Sequence, residues 1–165
     1  MQKTALFTLP DTNIQVLAPP AELDFFDRQS VQLSNPITPL AAWNAITGRP
    51  SRLLKVAFRI RDGISALFGV KKIGGFSSSA REGVSVGEKL DFFLVEHVAH
   101  DVLTLSERDT HLDVLTCIST QENTLTITSS VITHNTFGRV YMLPVAPAHR
   151  WIVRSNLRRI QKEHA

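Results

Sequence analysis

Five consecutive stretches near the C-terminal half constrain this chain more than anything else in it. "KLDFFLVEHVA", "DVLTLSERD", "THLDVLTCIST", "NTLTITSSVITHN" and "FGRVYMLPV" are rich in β-branched and apolar residues and are joined by short polar links. Side chains repeat every two residues on a strand, and links this short join only antiparallel neighbours, so the five predict an antiparallel meander from Lys89 to Val145. A sheet of that kind has a face to bury, and other elements must cover it.

The residues before the meander supply such elements. "LDFFDRQSVQLS" reads as an earlier strand. Thr38 is a helix N-cap with Pro39 at the first helical position, and Gly48 followed by Pro50 ends a short helix. A second helix opens near Ser51, with Leu54, Phe58, Ile64 and Leu67 on a broad apolar side, Arg52, Lys55 and Arg59 on another, and Gly63 as a weak point. "IGGFSSSAREGVSVG" is the loop that separates the helical half from the strands. After Pro147 the chain turns helical again. The expected fold class is therefore α+β: a curved antiparallel sheet of about six strands, two short helices after the first strand, and a C-terminal helix across the sheet. That order resembles the helix-grip architecture of START-type and birch-pollen-allergen-like (SRPBCC) proteins, which implies a gap between sheet and helix able to take an apolar ligand.

Composition agrees with one globular domain over residues 1–165, with 1–20 as a flexible N-terminal segment: 43% of the residues are hydrophobic and 20% charged. "MQKTALFTLPDTNIQVLAPP" has the pattern of neither a signal peptide nor a membrane anchor, so a cytoplasmic location is the default expectation. The lone Cys117 excludes an internal disulfide and reads as a small buried hydrophobe. The net charge of +3 is unevenly placed. Basic residues dominate from Arg49 to Lys72 and again from Arg150, and acids dominate from Glu82 to Glu122. Basic side chains solvating helix faces account for this, and an anionic partner near the helices is the alternative.

Candidate chemistry gathers in few places. His111 and Asp113, two apart on an expected strand, share a face and form a candidate proton-transfer pair, although the apolar set Leu112, Val114, Thr116 and Ile118 argues that their face is the outer one. His97 and His100 stand three apart on a strand and diverge, so no metal site is expected. The glycine-serine loop lacks the residues that complete a phosphate-binding or dinucleotide motif, and no cofactor is expected. Nucleic acid is not expected either, because the strands lack exposed aromatics interleaved with basic residues.

The stretch "HNTFGRVYMLPVAPAHRWIVRSNLRR" concentrates histidine, proline, tyrosine and arginine. On a strand, Arg139 and Tyr141 share a face, and if it looks into the gap they would anchor the polar group of an amphipathic ligand, with His134 nearby. An architectural reading competes: Pro144 and Pro147 end the strand, Gly138 allows a close approach, and His149 and Arg150 fasten the terminal helix.

"AFRIRDGISALFGVKK", "RDTHLDVLTCIS" and, in register through the histidine-rich stretch, "HN", "GR", "YM", "P", "HR" and "LRR" resemble an uncharacterised, mainly bacterial family, domain of unknown function 2867, from about Asp24 to Arg159. Ala148 departs from the pattern, which has an aromatic before His149. The resemblance implies a fold and no activity. Three functional expectations stand together: a domain binding a hydrophobic or amphipathic small molecule, with Arg139, Tyr141, His134, His111 and Asp113 as ligand-binding candidates; a cyclase, dehydratase or isomerase using His134 or His111 with Tyr141; and an accessory module docking on a redox partner. No membrane span is expected, a homodimer is the oligomeric alternative to a monomer, and whether the chain is an enzyme stays open.

Overall fold

The computed structural model describes residues 5–69, 75–77 and 79–165. Lys71, Lys72, Ile73, Gly74 and Ser78, which belong to the basic run and the glycine-serine loop, lie outside the described residues. The elements run β1 (Phe7–Thr8), β2 (Gln15–Val16), a 3-10 turn (Pro20–Glu22), β3 (Phe25–Gln32), α1 (Pro39–Gly48), α2 (Arg52–Leu67), β4 (Lys89–Leu90), β5 (Phe93–Ala99), β6 (Val102–Arg108), β7 (Leu112–Gln121), β8 (Thr124–Thr133) and α3 (Thr136–Glu163). The fold is α+β. One antiparallel sheet has the order β3-β8-β7-β6-β5-β4: the first four of the five expected stretches form its meander, the first of them as two strands, β4 and β5, and the early strand extends it by pairing with β8.

The caps are those the sequence offers. Thr38 accepts the Ala41 amide at 3.2 Å to start α1, and Ser51 accepts the Leu54 amide at 3.1 Å to start α2, each satisfying a first-turn N–H that the helix leaves unpaired. Gly63 does not end α2, which continues to Leu67. Leu67 itself is 82% exposed, so the buried side of α2 is narrower than its apolar residues suggested.

One expected element is overturned. "FGRVYMLPV" is not a fifth meander strand; it is the first third of α3, a helix of 28 residues that contains both Pro144 and Pro147. Asn135, two residues beyond β8, caps the helix by accepting the Gly138 amide at 3.0 Å. Each proline deprives a carbonyl four residues earlier of its donor. Those carbonyls belong to Val140 and Leu143, which are 57% and 72% exposed, so water can take them. The half-buried, inward-facing side chains Phe137, Tyr141, Val145, Ala148 and Ile152 recur every three or four residues, the helical period, and this packing outweighs the weak strand preference of valine and tyrosine.

The sheet is covered on both faces. On the concave face Leu103, Leu105, Ile118, Leu125 and Ile127 pack with Trp43 and Ile46 of α1 and Val153, Leu157 and Ile160 of α3. On the convex face the β1–β2 hairpin sets Leu9, Ile14 and Val16 on Val102 and Cys117. This hairpin lies within the stretch expected to be a flexible segment. Leu17 donates to Ser130 Oγ at 3.1 Å and Thr104 Oγ1 donates to Gln15 at 2.8 Å, which ties it to the strands behind. Cys117 is fully buried there as expected, and burial pushes its thiol pKa up. No helix among the described residues is long and apolar enough to cross a membrane.

Candidate functional site

Where α3 and α2 cross the concave face they leave a cavity of about 310 Å³. Its floor is the inner face of the sheet, with Leu112, Val114, Thr116, Ile118, Ile127, Ser129 and Val131. One wall is aromatic: Trp43, Phe76 and Phe93 meet edge to face or stacked, with ring centroids 5.2–6.5 Å apart, and Phe92 lies 4.4 Å from Phe93. The roof is the stripe of α3 from Phe137 to Asn156, and Leu54, Phe58, Arg61 and Ser65 of α2 complete the enclosure at the same helical spacing. A second hollow of about 470 Å³ lies outside α2, lined in part by Arg49, Lys55 and Arg59, and shares Phe58 and Phe76 with the cavity.

The polar end of the cavity is built by the turn between β6 and β7. Asp109 accepts the amides of His111 at 2.7 Å and Leu112 at 2.9 Å, which fixes the turn. The His111 carbonyl then accepts the His134 amide at 2.8 Å and receives the first turn of α3 at Gly138, where a Cβ would stand 2.3 Å from that oxygen. Only glycine permits this approach. Asn135 completes the joint: its Oδ1 takes the Gly138 amide, and its Nδ2 donates to Thr110 O at 3.2 Å and to His111 Nδ1 at 2.9 Å. The His111 ring lies 4.5 Å from Phe137, which in turn lies 6.2 Å from Tyr141.

Tyr141 is the phenol of the cavity. Burial raises its pKa, and the charge and hydrogen bond of Arg61 pull the other way. Arg61 is itself paired with Asp62 at 3.0 Å. At the sheet floor, His149 Nε2 meets Ser129 Oγ at 3.3 Å, and the ring packs edge-on against Phe25 at 5.6 Å. Burial is the main cause of its lowered pKa; Asp27 opposes the shift and Arg150 adds to it. Arg150 stacks 4.9 Å above the Phe25 ring and pairs with Asp27 at 3.8 Å, which fastens α3 along β3.

The residues singled out from the sequence separate onto different surfaces. His111 and Tyr141 line the cavity. Asp113 and His134 pair with each other at 3.1 Å on the convex side, in a chain with Arg108 and Glu96. His111 and Asp113 therefore do not share a face: His111 precedes β7, within the turn, and the strand's alternation starts after it. Arg139 is exposed near Asp24; on a helix, residues two apart diverge, so it is no neighbour of Tyr141. The guanidinium beside Tyr141 is that of Arg61, which its spacing from Leu54 and Phe58 on α2 could have revealed. His149 was read as a fastener and lines the cavity as well, while Asn156 was not singled out. Ala148, where the family pattern has an aromatic, lines the roof.

No curated protein and no solved structure matches the chain. Residues 20–156 match the model of the family described as Protein of unknown function (DUF2867), and the chain belongs to that family.

Proposed function

We propose that this domain binds a hydrophobic or amphipathic small molecule in the cavity between the sheet and the helices, as helix-grip proteins do. The observation that carries the reading is the cavity's chemistry: aromatic and aliphatic walls around a few polar groups, with Tyr141, Arg61 and His111 gathered at one end. An apolar body gains from leaving water, and the phenol, guanidinium and imidazole orient its polar head. Tyr141 and His111 replace the pair Arg139 and Tyr141 as anchors. The probe for the test is 1-anilinonaphthalene-8-sulfonate, whose fluorescence rises in apolar surroundings. Saturable binding of one molecule is expected, weakened about three- to tenfold by Tyr141→Phe and abolished by Ala148→Trp, which fills the roof. Equal binding by wild type and Ala148→Trp would sink the proposal.

A second reading, a docking or self-association module, rests on the exposed apolar side chains Val140, Leu143 and Trp151 of α3 and Val56 and Ile60 of α2. Sedimentation velocity that finds only monomers at high concentration counts against self-association.

A further inference from the structure

Among the described lining residues of α3, Asn156 is buried as a residue, yet its side-chain amide has no protein partner and keeps contact with the cavity. It is 5% exposed, on a stretch of helix whose other inward residues, Val153, Leu157 and Ile160, are core hydrophobes. Among the described residues its amide has no hydrogen bond. Three other buried polar atoms also lack partners, namely Thr128 Oγ1, His149 Nδ1 and Arg159 Nε, but they are sealed from any occupant. The Asn156 amide is not sealed.

Its place in the fold gives the direction. Tyr141 and Asn156 sit on the same side of α3, about 22 Å apart at the helical rise per residue. One turn beyond Asn156, Arg159 donates to the carbonyls of Ala45 at 2.9 Å, Ile46 at 3.5 Å and Arg49, closing that end against α1. Arg159 is thus engaged and does not line the cavity, so no countercharge awaits a buried anion there. An amide that faces the cavity with no protein partner contributes less to folding than leucine packed there would. Asparagine at this position is useful to an occupant that supplies the missing bonds.

Resting on the binding proposal, we infer that the ligand is polar at both ends: its buried end carries an uncharged hydroxyl or carbonyl, taken by the Asn156 amide, and its other polar group lies by Tyr141. The test displaces 1-anilinonaphthalene-8-sulfonate with two probes of equal length, dodecanol with one terminal hydroxyl and dodecane-1,12-diol with two; with a hydrogen bond of about 2.8 Å at each end the extended diol reaches about 22 Å. Wild type is expected to bind the diol about five- to tenfold more tightly, the yield of one further hydrogen bond. Asn156→Leu should abolish that preference while binding dodecanol at least as well, and should unfold at no lower temperature than wild type, which separates a lost contact from a lost fold. An unchanged preference in Asn156→Leu overturns the inference, as does wild type that favours dodecanol. If the fluorescent probe binds but neither alcohol displaces it, the inference falls and the cavity proposal stands. If the fluorescent probe does not bind wild type, both fall.

Discussion

Replacing Gly138 with alanine adds one methyl group at the joint where α3 leaves the sheet. The new Cβ would stand 2.3 Å from the His111 carbonyl oxygen and 3.1 Å from its carbon. The oxygen cannot retreat freely, because it accepts the His134 amide at 2.8 Å and belongs to a turn pinned by Asp109. The helix must move instead, by the better part of an ångström, and this draws the Gly138 amide away from its cap on Asn135. Overpacking of this kind costs about 1–3 kcal/mol and a weakened cap about 1 kcal/mol more, against which alanine's helix preference returns up to about 1 kcal/mol. The net loss is about 2 kcal/mol, a fall in Tm of about 4–8 °C for a chain of this size. Gly63 is the internal control: it is exposed in the middle of α2 with nothing within 4 Å of an added Cβ, so Gly63→Ala should stabilise by about 0.5–1 kcal/mol. Urea unfolding followed by circular dichroism reads both variants on one scale. If Gly138→Ala is as harmless as Gly63→Ala, the close packing of α3 on His111 is wrong, and the geometry of the polar end of the cavity goes with it.

Two further outcomes follow from buried groups. His149 has its folded pKa held below the ordinary 6.5, so the unfolded chain takes up a proton first as pH falls. Stability contributed by the neutral ring is therefore present above pH 6.5 and drains away below it, until the folded pKa is reached; urea midpoints between pH 7 and pH 5 should fall less steeply for His149→Gln than for wild type. Cys117 should resist a thiol reagent such as dithiobis-nitrobenzoate in the folded protein and react faster once residues 1–18 are deleted, because the hairpin supplies Leu9, Ile14 and Val16 of the cluster around it; rapid reaction of the intact chain would show that the hairpin does not seal it.

Legibility from the sequence followed the strength of the local signal. Strands β5 to β8 were readable because a sheet covered on both faces takes β-branched and apolar residues throughout, bounded by short polar links, and the starts of α1 and α2 were readable because Thr38 and Ser51 sit directly ahead of helical spacing. The stretch after β8 was misread because it supports two periods at once. Arg139, Tyr141, Leu143 and Val145 alternate like a strand, whereas Phe137, Tyr141, Val145 and Ala148 repeat like a helix, and two prolines weighed against the helix. The cap settled it, since an asparagine three residues before a glycine that must meet a carbonyl leaves the backbone little choice. The candidate site was half legible for the same reason. Tyr141 and His111 lie in the cavity, but their partners Arg61 and Asn156 come from other elements or from an unnoticed turn of the same helix, and no local pattern ties residues that far apart.

The histidine- and arginine-rich stretch serves fastening and cavity together. α3 is held at its first turn by Asn135 and Gly138 on the β6–β7 turn, along its middle by Arg150 on Asp27 and Phe25, and near its end by Arg159 on the carbonyls that finish α1. A helix fixed at such points cannot settle freely onto the sheet between them. What lies between is Ala148, too small to fill the space, with His149 and Asn156, whose polar atoms gain nothing from closer apolar contact. A space of about 310 Å³ that reaches the surface and is lined in part by polar groups takes up water readily. The space is therefore wet or filled. An apolar occupant displaces that water at a gain, and the fasteners are what keep the space open for it.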